Sequence, residues 1–228
     1  MPTFIGDVHG WIDRLDAVLA QAEGEIVLLG DLIDRGPNVP EVLDRGLARC
    51  VLGNHEWMLT RVLGRGDASP NEDAFDAWVD GWGGDAVMAA FAVDSATGLK
   101  QRLGRHWPWL GELPWVLEGT AVGRKWVAIH AGFDHQRPFA EQLAEVRSGW
   151  DGPWSRTDDP RPQPLFSKRR VMVIPPDLPP DVCLISGHTP VIRPLITAQR
   201  IACDTTGGMP GRRLTGIIWP EERIISSA

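Results

Sequence analysis

The hydrophobic pattern of the first fifty residues alternates between short apolar runs and a stretch of helical spacing. Residues 3–5 form an apolar run, and apolar side chains then recur three or four positions apart over residues 12–22. Residues 26–29 and 50–52 are two further apolar runs. Apolar runs of this length are typical of buried strands, and the spacing between them is typical of one face of a helix. Their alternation predicts a mostly parallel or mixed sheet that is covered on both faces.

Two further segments predict helices. Asn38 is followed three positions later by Glu41, which is the spacing of a capping box at the start of a short helix. Residues 73–93 also have helical spacing, but the glycines at 81, 83 and 84 predict a break in the middle. Prolines and tryptophans make the pattern less regular beyond that point. We therefore expect residues from about 57 to 125 to form a helical and irregular cap.

The second half of the chain returns to strands. Apolar runs predict strands at residues 126–129, 182–186, 201–203 and 214–219. Residues 151–180 are rich in proline and charge and predict a long surface loop. Neither an internal repeat nor a clear linker divides the sequence, so residues 1–228 are interpreted as a single domain of the α/β or α+β class.

Composition excludes several classes of function. The formal charge of −7 opposes general binding of nucleic acid, so a phosphate ligand would need a local positive centre. The N-terminus lacks the features of a secretion signal, and no apolar run is long enough to span a membrane. The three cysteines lack the spacing of a zinc site or a disulfide framework. A cytoplasmic protein without membrane partners is the resulting expectation.

The candidate chemistry lies in five turns, each of which follows an apolar run. Each turn joins a glycine or small residue to side chains of the types that bind metals. The turns are Gly6-Asp7-Val8-His9-Gly10, Gly30-Asp31-Leu32-Ile33-Asp34-Arg35-Gly36, Gly53-Asn54-His55-Glu56, His130-Ala131-Gly132 and Gly187-His188-Thr189. Ligands of α/β sheets bind beyond the carboxyl ends of the strands, so these turns should converge on one crevice.

The side chains in these turns favour a two-metal site. Carboxylate, imidazole and amide groups without thiolate suit manganese, iron, zinc or nickel better than calcium. A carboxylate can bridge two ions held about 3.5–4 Å apart. Two such ions would leave a net positive charge where a phosphate could bind, even in a protein of charge −7.

These five motifs, in this order, resemble those of the calcineurin-like metallophosphoesterase superfamily, in its phosphoprotein (serine/threonine) phosphatase branch. The likeness extends from Gly6 to the Asp204-Thr205-Thr206-Gly207 segment and is closest to single-domain bacterial and phage members. It implies the metallophosphoesterase fold, with a central mixed β-sandwich flanked by helices. It also implies a binuclear centre, with manganese as the preferred metal and iron, zinc or nickel as alternatives.

The resemblance also implies roles for individual residues. Asp7, His9 and Asp31 match the ligands of the first metal, and Asp31, Asn54, His130 and His188 match those of the second. His55 matches the proton donor and Asp34 the carboxylate that orients it. Arg35 matches a phosphate-binding arginine.

The position of a second phosphate-binding arginine is less defined. Arg156, beside Trp154, is the candidate, with Arg147 as the alternative. Some single-domain members carry another arginine immediately before the third turn, where this chain has Leu52.

The implied reaction is hydrolysis of a phosphate monoester. A hydroxide bridging the two metals would attack phosphorus directly, without a phosphoenzyme, while His55 protonates the leaving oxygen. The implied substrate is a phosphoserine or phosphothreonine protein, or a small phosphate ester.

Two alternatives remain open. One is a dinucleoside polyphosphate hydrolase, because symmetrical diadenosine tetraphosphate hydrolases are similar around Gly83-Gly84 and the His130 turn. Those sequences typically have alanine where this chain has Asp34, which favours the phosphatase. The other alternative is a scaffold with a relic site, which the complete ligand set disfavours.

Several residues near the motifs have plainer interpretations. Glu56 is expected to support neighbouring residues, and Asp204 is expected to be a strand-end residue without a direct role. His106 and His135 are expected at the surface. Five of the tryptophans are expected to pack within the cap unless the substrate is a nucleotide; these five are at positions 78, 82, 107, 109 and 115.

Overall fold

A computed structural model describes residues 1–45, 49–65, 68–149, 161–167 and 173–228. Its strands are β1 (Pro2–Ile5), β2 (Glu25–Leu28), β3 (Val116–Ala121), β4 (Arg124–Ile129), β5 (Val182–Ser186), β6 (Leu195–Ile196), β7 (Arg200–Ala202), β8 (Thr215–Ile218) and β9 (Arg223–Ser226). Its helices are α1 (Ile12–Leu19), α2 (Val39–Asp44), α3 (Asn54–Val62), α4 (Glu72–Trp82), α5 (Gly84–Phe91), α6 (Ala96–Leu103), α7 (His106–Gly111), α8 (Phe139–Arg147) and α9 (Gln163–Phe166).

The strands form two mixed sheets. The first has the order β2-β1-β8-β9, in which β1 is parallel to β2 and antiparallel to β8. The second has the order β3-β4-β5-β7-β6, with a parallel centre of β4, β5 and β7. Parallel neighbours end at the same edge of a sheet, so the segments that follow β1 and β2 emerge together, as do those that follow β4 and β5.

An apolar layer contains side chains from the inward faces of both sheets. Phe4 of β1 contacts Trp126 of β4 edge to face, with 5.0 Å between the ring centroids. The same buried cluster contains Val27 and Leu29 from the first sheet side and Ile185 and Ile201 from the second. Buried Cys183 and Cys203 are also members, which accounts for two of the three cysteines as packing residues. The two sheets therefore form the sandwich that the resemblance implies.

A second, larger apolar cluster packs the helices against the sheets and against one another. Helices α4 to α7 follow one another with short connections and form the helical cap. Trp78 of α4 and Leu99 of α6 are fully buried in this cluster. No helix in the described ranges is long and apolar enough to cross a membrane.

Most of the predicted elements are confirmed, including the metallophosphoesterase fold. The predicted break in residues 73–93 lies at Gly83, which has a φ of +90° between α4 and α5. The strands predicted at residues 182–186 and 214–219 are observed as β5 and β8, although β8 is shorter than predicted. Leu28 and Cys50 form a parallel bridge where a third strand was expected.

Three predictions differ from the structure. The cap does not extend to residue 125, because residues 116–121 pair along their whole length with β4 as the edge strand β3. The capping box does not form, since Asn38 precedes α2 without a side-chain hydrogen bond to it. Part of the predicted loop at 151–180 is the helical turn α9, whose Leu165 is fully buried; residues 150–160 and 168–172 lie outside the described residues.

Candidate metal centre and active site

The five predicted turns meet around one cleft of about 670 Å³. Asp7 and His9 follow β1, Asp31 follows β2, and His130 follows β4. Asn54 and His55 begin α3, and His188 lies just beyond β5. The side chains that line the cleft are those of Asp7, Asp31, Arg35, Asn54, His55, Trp82, Arg161, Gln163, Phe166, Ser167, His188, Pro190 and Met209.

Backbone strain is concentrated in these turns. Five of the eight non-glycine residues with positive φ in the described chain belong to the cleft: His9, Asp31, Asp34, Arg35 and His188. A side chain in this region of φ costs free energy that the surrounding structure must compensate, and such residues cluster at functional sites. The surrounding structure therefore holds these turns in backbone conformations that an isolated loop would rarely adopt.

At two positions of the cleft only glycine fits, because a carboxylate from a neighbouring turn lies against the backbone. A Cβ atom on Gly53 would lie 2.3 Å from Oδ1 of Asp31, and one on Gly187 would lie 2.0 Å from Oδ1 of Asp7. Both distances are shorter than any tolerable contact. The glycines that precede the predicted ligands thus make room for the carboxylates of neighbouring turns.

The first group of potential metal ligands contains His9, Asp31 and His55. The Nε2 atom of His9 lies 3.6 Å from Oδ2 of Asp31, and Nε2 of His55 lies 3.8 Å from the same oxygen. The Nδ1 atom of His9 is 2.8 Å from the carbonyl oxygen of Ile33, which orients the ring. Burial, together with the neighbouring His55, holds the pKa of His9 well below its usual range. A neutral ring whose Nδ1 donates to Ile33 has a lone pair on Nε2, as a metal ligand requires.

The second group contains Asp31, His130 and His188, with Asn54 between the two histidines. The Oδ1 atom of Asn54 is 2.8 Å from Nε2 of His130 and 2.8 Å from Nδ1 of His188. Those two ring nitrogens are only 3.2 Å apart. Oδ1 of Asp31 lies 3.4 Å from Nε2 of His130. Asp31 thus belongs to both groups.

This arrangement fits a bound cation. The Nδ1 atom of His130 is 2.7 Å from the carbonyl oxygen of Leu29, so the neutral ring would donate there and present a lone pair at Nε2. That lone pair would face the Asn54 oxygen, and two acceptors repel unless a proton or a metal lies between them. Burial alone would lower the pKa of His130, but Asp31 raises it to about 10. The same negative potential that retains a proton here would attract a divalent ion.

The two aspartates of the site differ in their electrostatic environment. Burial would raise the pKa of Asp31, but His130 and His55 hold it well below the usual range. Burial raises the pKa of Asp7 well above its usual range, and the nearby Asp204 and Asp31 raise it further. The backbone N–H of His188 donates to both oxygens of Asp7, at 3.0 and 3.1 Å. Several carboxylates in one buried space are costly without a cation, which also fits a metal site.

His55 and Asp34 form a buried pair at the side of the cleft that faces the cap. The Nδ1 atom of His55 is hydrogen-bonded to Oδ2 of Asp34. Nε1 of Trp78 donates to the same oxygen at 3.0 Å. Burial raises the pKa of Asp34, and Asp31 and Asp34 raise the pKa of His55 against the effect of burial. Both shifts favour the protonated form of the pair, and its geometry is that of a general acid oriented by a carboxylate.

Arg35 reaches across the mouth of the cleft. Its two terminal nitrogens lie 2.9 Å from Nε2 of His9 and 3.0 Å from Nε2 of His55. One of them also donates to the carbonyl oxygen of Gly207 at 3.0 Å. The side chain is exposed, and its planar fork suits two oxygens of a phosphate.

The two other arginines proposed from the sequence are not seen at the cleft. Arg156 lies outside the described residues. The Nε atom and one terminal nitrogen of Arg147 donate to the carboxylate of Glu118, at 2.7 Å each, on the surface near β3. Arg161 was not predicted from the sequence as a cleft residue. It lines the cleft, and its Cζ atom lies 5.4 Å from the ring centroid of Phe166.

Two further residues have larger roles than the sequence suggested. Glu56 is fully buried and accepts backbone N–H bonds from Gly53, Asp31, Leu32 and Ile33, at 2.7 to 3.3 Å. It therefore joins the second and third turns. Trp82 was expected to pack within the cap, but it lines the cleft and contacts the ring of His55 edge to face at 6.0 Å.

Expectations were also stated for Asp204, His106 and His135. Asp204 accepts hydrogen bonds from the backbone of Gly207 and the hydroxyl of Thr206, while its Oδ2 atom is buried without a hydrogen-bond partner. His106 is bound to Asp44 at 2.9 Å, and His135 is partly exposed beside Asp134. Neither histidine is at the cleft.

A sequence profile for the calcineurin-like phosphoesterases matches residues 3–192. The chain belongs to this family. The family uses divalent metals and hydrolyses phosphate esters, in agreement with the cation-binding geometry described above.

Relatives of known name match a shorter segment. A symmetrical bis(5'-nucleosyl)-tetraphosphatase of Klebsiella pneumoniae is 47% identical over 69 residues, which is 26% of this chain and 24% of the relative. The corresponding enzyme of Serratia proteamaculans is 44% identical over 68 residues, again about a quarter of each chain. The matched segment thus spans only a quarter of the length of these relatives.

Solved structures match the whole fold at lower identity. A protein provisionally described as a diadenosine tetraphosphatase has a TM-score of 0.60 and 20% identity, covering 99% of this chain and 92% of that one. A cold-active protein-tyrosine phosphatase of a Shewanella species has a TM-score of 0.52 and 19% identity, covering 99% and 76%. At these identities the likeness establishes the fold alone.

Proposed function

We propose that this protein is a two-metal phosphoesterase in which Asp31 is shared between the ions. Asp7, His9 and Asp31 would hold the first ion, and Asp31, Asn54, His130 and His188 the second. The observation that carries the proposal is the convergence on one cleft of five strand-end turns, three of which contain residues with positive φ. Manganese is our first choice of ion, with iron, zinc or nickel as alternatives, because ligands that combine oxygen with imidazole and include no thiolate suit all four.

The ions would supply Lewis acidity, which neutralises phosphate charge and lowers the pKa of water. The chain's own groups would do the rest. Arg35 would bind two phosphate oxygens and hold the ester against the cleft. Arg35 now lies beside Nε2 of His55, so its movement onto the substrate phosphate would free that nitrogen to face the leaving group. Asp34 and Trp78 keep the His55 ring in place for this step.

The leaving oxygen decides which substrate suits this arrangement. An alkoxide, such as that of a serine or threonine side chain, is a poor leaving group and needs a proton as the bond breaks. A nucleotide leaving group already departs as a stabilised phosphate anion. The buried His55–Asp34 pair supplies a proton, which favours a phosphate monoester of an alcohol as substrate. We therefore propose a serine/threonine protein phosphatase as the first candidate.

A dinucleoside polyphosphate hydrolase is the second candidate. It is favoured by the names of the relatives that share the 69-residue segment and by the structural likeness at a TM-score of 0.60. Trp82 and Phe166 also line the cleft, and their rings offer surfaces on which a base could stack. Both candidates use the same metal ligands, so the two differ in the leaving group rather than in the mechanism of attack.

A substrate panel separates the candidates. The manganese-loaded protein would be assayed with a phosphoserine peptide, a phosphotyrosine peptide, diadenosine tetraphosphate and an aryl phosphate. The first candidate predicts the highest kcat/KM for the phosphoserine peptide. A kcat/KM for diadenosine tetraphosphate at least a hundredfold above that for the peptide would establish the second candidate instead. A protein without metal-dependent turnover of any of the four would be a scaffold and would refute both.

A further inference from the structure

A second groove of about 390 Å³ lies beside the catalytic cleft. The segment after His188 and the connection between β7 and β8 form two of its sides, and β9 contributes the third. Its apolar part includes Ile192, whose exposed fraction is 97%, and Ile224, at 52%. These are unusually exposed isoleucines for a protein surface, and they mark a candidate contact site.

Three arginines also line the groove. In the described part of the chain, four arginine side chains make no hydrogen bond, ion pair or ring contact. Three of them, Arg193, Arg212 and Arg213, line this groove. The fourth, Arg102, lies on α6 in the cap. Most other surface arginines are paired with carboxylates, as Arg45 is with Asp16. An unneutralised cluster is therefore exceptional in a chain of net charge −7.

The groove and the catalytic cleft share two stretches of backbone. Pro190 lines the cleft and the next residue, Val191, lines the groove. Similarly, Met209 lines the cleft, while Arg212, three residues later, lines the groove. A single extended polypeptide could thus lie in both, whereas a small ester would reach only the cleft.

We infer that this groove binds an acidic segment of the phosphoprotein substrate, anchored by an apolar side chain against Ile192 and Ile224. The inference rests on the proposed phosphatase function. Charge complementarity selects the occupant, because an acidic chain is repelled by most of this surface but attracted to three guanidinium groups that have no partner among the described residues. The described residues of the groove lining include no aromatic side chain on which nucleic acid bases could stack. An acidic polypeptide is the ligand that matches both the charge and the isoleucines.

The test compares two phosphoserine peptides of equal length, one with an acidic and apolar extension and one with a neutral extension. The wild-type protein should show a lower KM for the acidic peptide, and this advantage should decrease as salt is added. The advantage is the KM of the neutral peptide divided by the KM of the acidic peptide. In the variant Arg193→Ser/Arg212→Ser/Arg213→Ser this ratio should fall about tenfold, since each exposed ion pair contributes only modestly. Arg102→Ser is the matched control and should retain the full advantage.

Binding of the acidic peptide without phosphate, followed by fluorescence anisotropy, separates this inference from the proposed function. If no phosphopeptide is hydrolysed but the peptide still binds the wild type and not the triple variant, the phosphatase proposal fails and the groove assignment stands. Equal KM values for the two phosphopeptides in the wild type would overturn the groove assignment. Equal advantages in the wild type and the triple variant would do the same. So would tighter binding of a single-stranded RNA oligonucleotide that displaces the peptide.

Discussion

The strand-end turns and the helical cap contribute to the same cleft by opposite physical means. The turns present buried polar side chains from strained backbone, and they include all six of the proposed metal ligands. The cap is held by apolar packing and reaches the cleft with two tryptophans. Trp78 donates a hydrogen bond to Asp34, and Trp82 contacts His55. Under the proposed function, the sandwich would bind the ions, and the cap would position the acid and shape the substrate side.

Replacement of the acid should separate the two contributions most strongly. The variant His55→Asn should lose turnover by about 10²- to 10⁴-fold on an alkyl phosphate, which is the usual range for general acid catalysis. Metal binding should be retained, because the six proposed ligands are unchanged and His55, although it lies near His9 and Asp31, is not one of them. Steady-state kinetics and metal analysis of the purified variant measure the two quantities. Full activity in this variant would refute the role of His55.

Weakening the turns should affect metal binding first. Glu56→Gln replaces one of two acceptor oxygens that bind four backbone N–H groups of the second and third turns. Because Asp31 and Asn54 lie in these turns, metal affinity should fall about 10- to 100-fold. Titration with manganese measures the affinity, and Glu41→Gln, on the exposed face of α2, is the control. An affinity equal to that of the wild type would show that the turns hold their shape without Glu56.

The pH dependence should also report on the acid. The pKa of His55 is raised by Asp31 and Asp34, so the protonated form persists to higher pH than for a free histidine. Turnover of an alkyl phosphate should therefore be present below that pKa and be lost as the pH rises through it. An aryl phosphate has a better leaving group and should lose less activity over the same range. Identical alkaline limbs for the two substrates would argue against proton donation.

The cap should have the smallest effect. Trp78→Phe removes the hydrogen bond to Asp34 while keeping an aromatic ring in the buried position. We expect kcat to fall about three- to tenfold, equivalent to a net hydrogen bond of about 1 kcal/mol, and the alkaline limb to shift. Trp109→Phe, in the cap but away from the cleft, should change neither quantity. A shift in KM alone would indicate that Trp78 acts on substrate binding instead.

The sequence predicts the turns far better than the cap, for a physical reason. A turn such as Gly53-Asn54-His55-Glu56 carries its requirements locally, since the glycine makes room for a carboxylate and the next side chain, that of Asn54, is a proposed ligand. The contact of Trp82 with His55 depends on how α4 and α5 dock, which no local pattern encodes. The expected capping box at Asn38 failed because the residue types were right but the backbone geometry was not.

The edge strand β3 and Arg161 were missed for related reasons. Val116–Ala121 contains a glycine and a glutamate and has little strand character by itself, so its pairing with β4 determines its conformation. Arg161 lies in a proline-rich segment that the sequence presents only as a loop, and its place at the cleft follows from the packing of α9. Glu56 supports neighbouring residues as expected, and it binds four backbone donors because a buried acid at the first turn of a helix needs several.

Metal stoichiometry of the wild type and of Asp31→Asn is the most direct measurement of the central claim. We predict two manganese ions per wild-type chain. The variant should lose both ions together with phosphoesterase activity, because Asp31 is the one carboxylate common to both groups of ligands. A wild-type protein that binds no divalent ion, or a variant that still binds two with unchanged affinity, would contradict it.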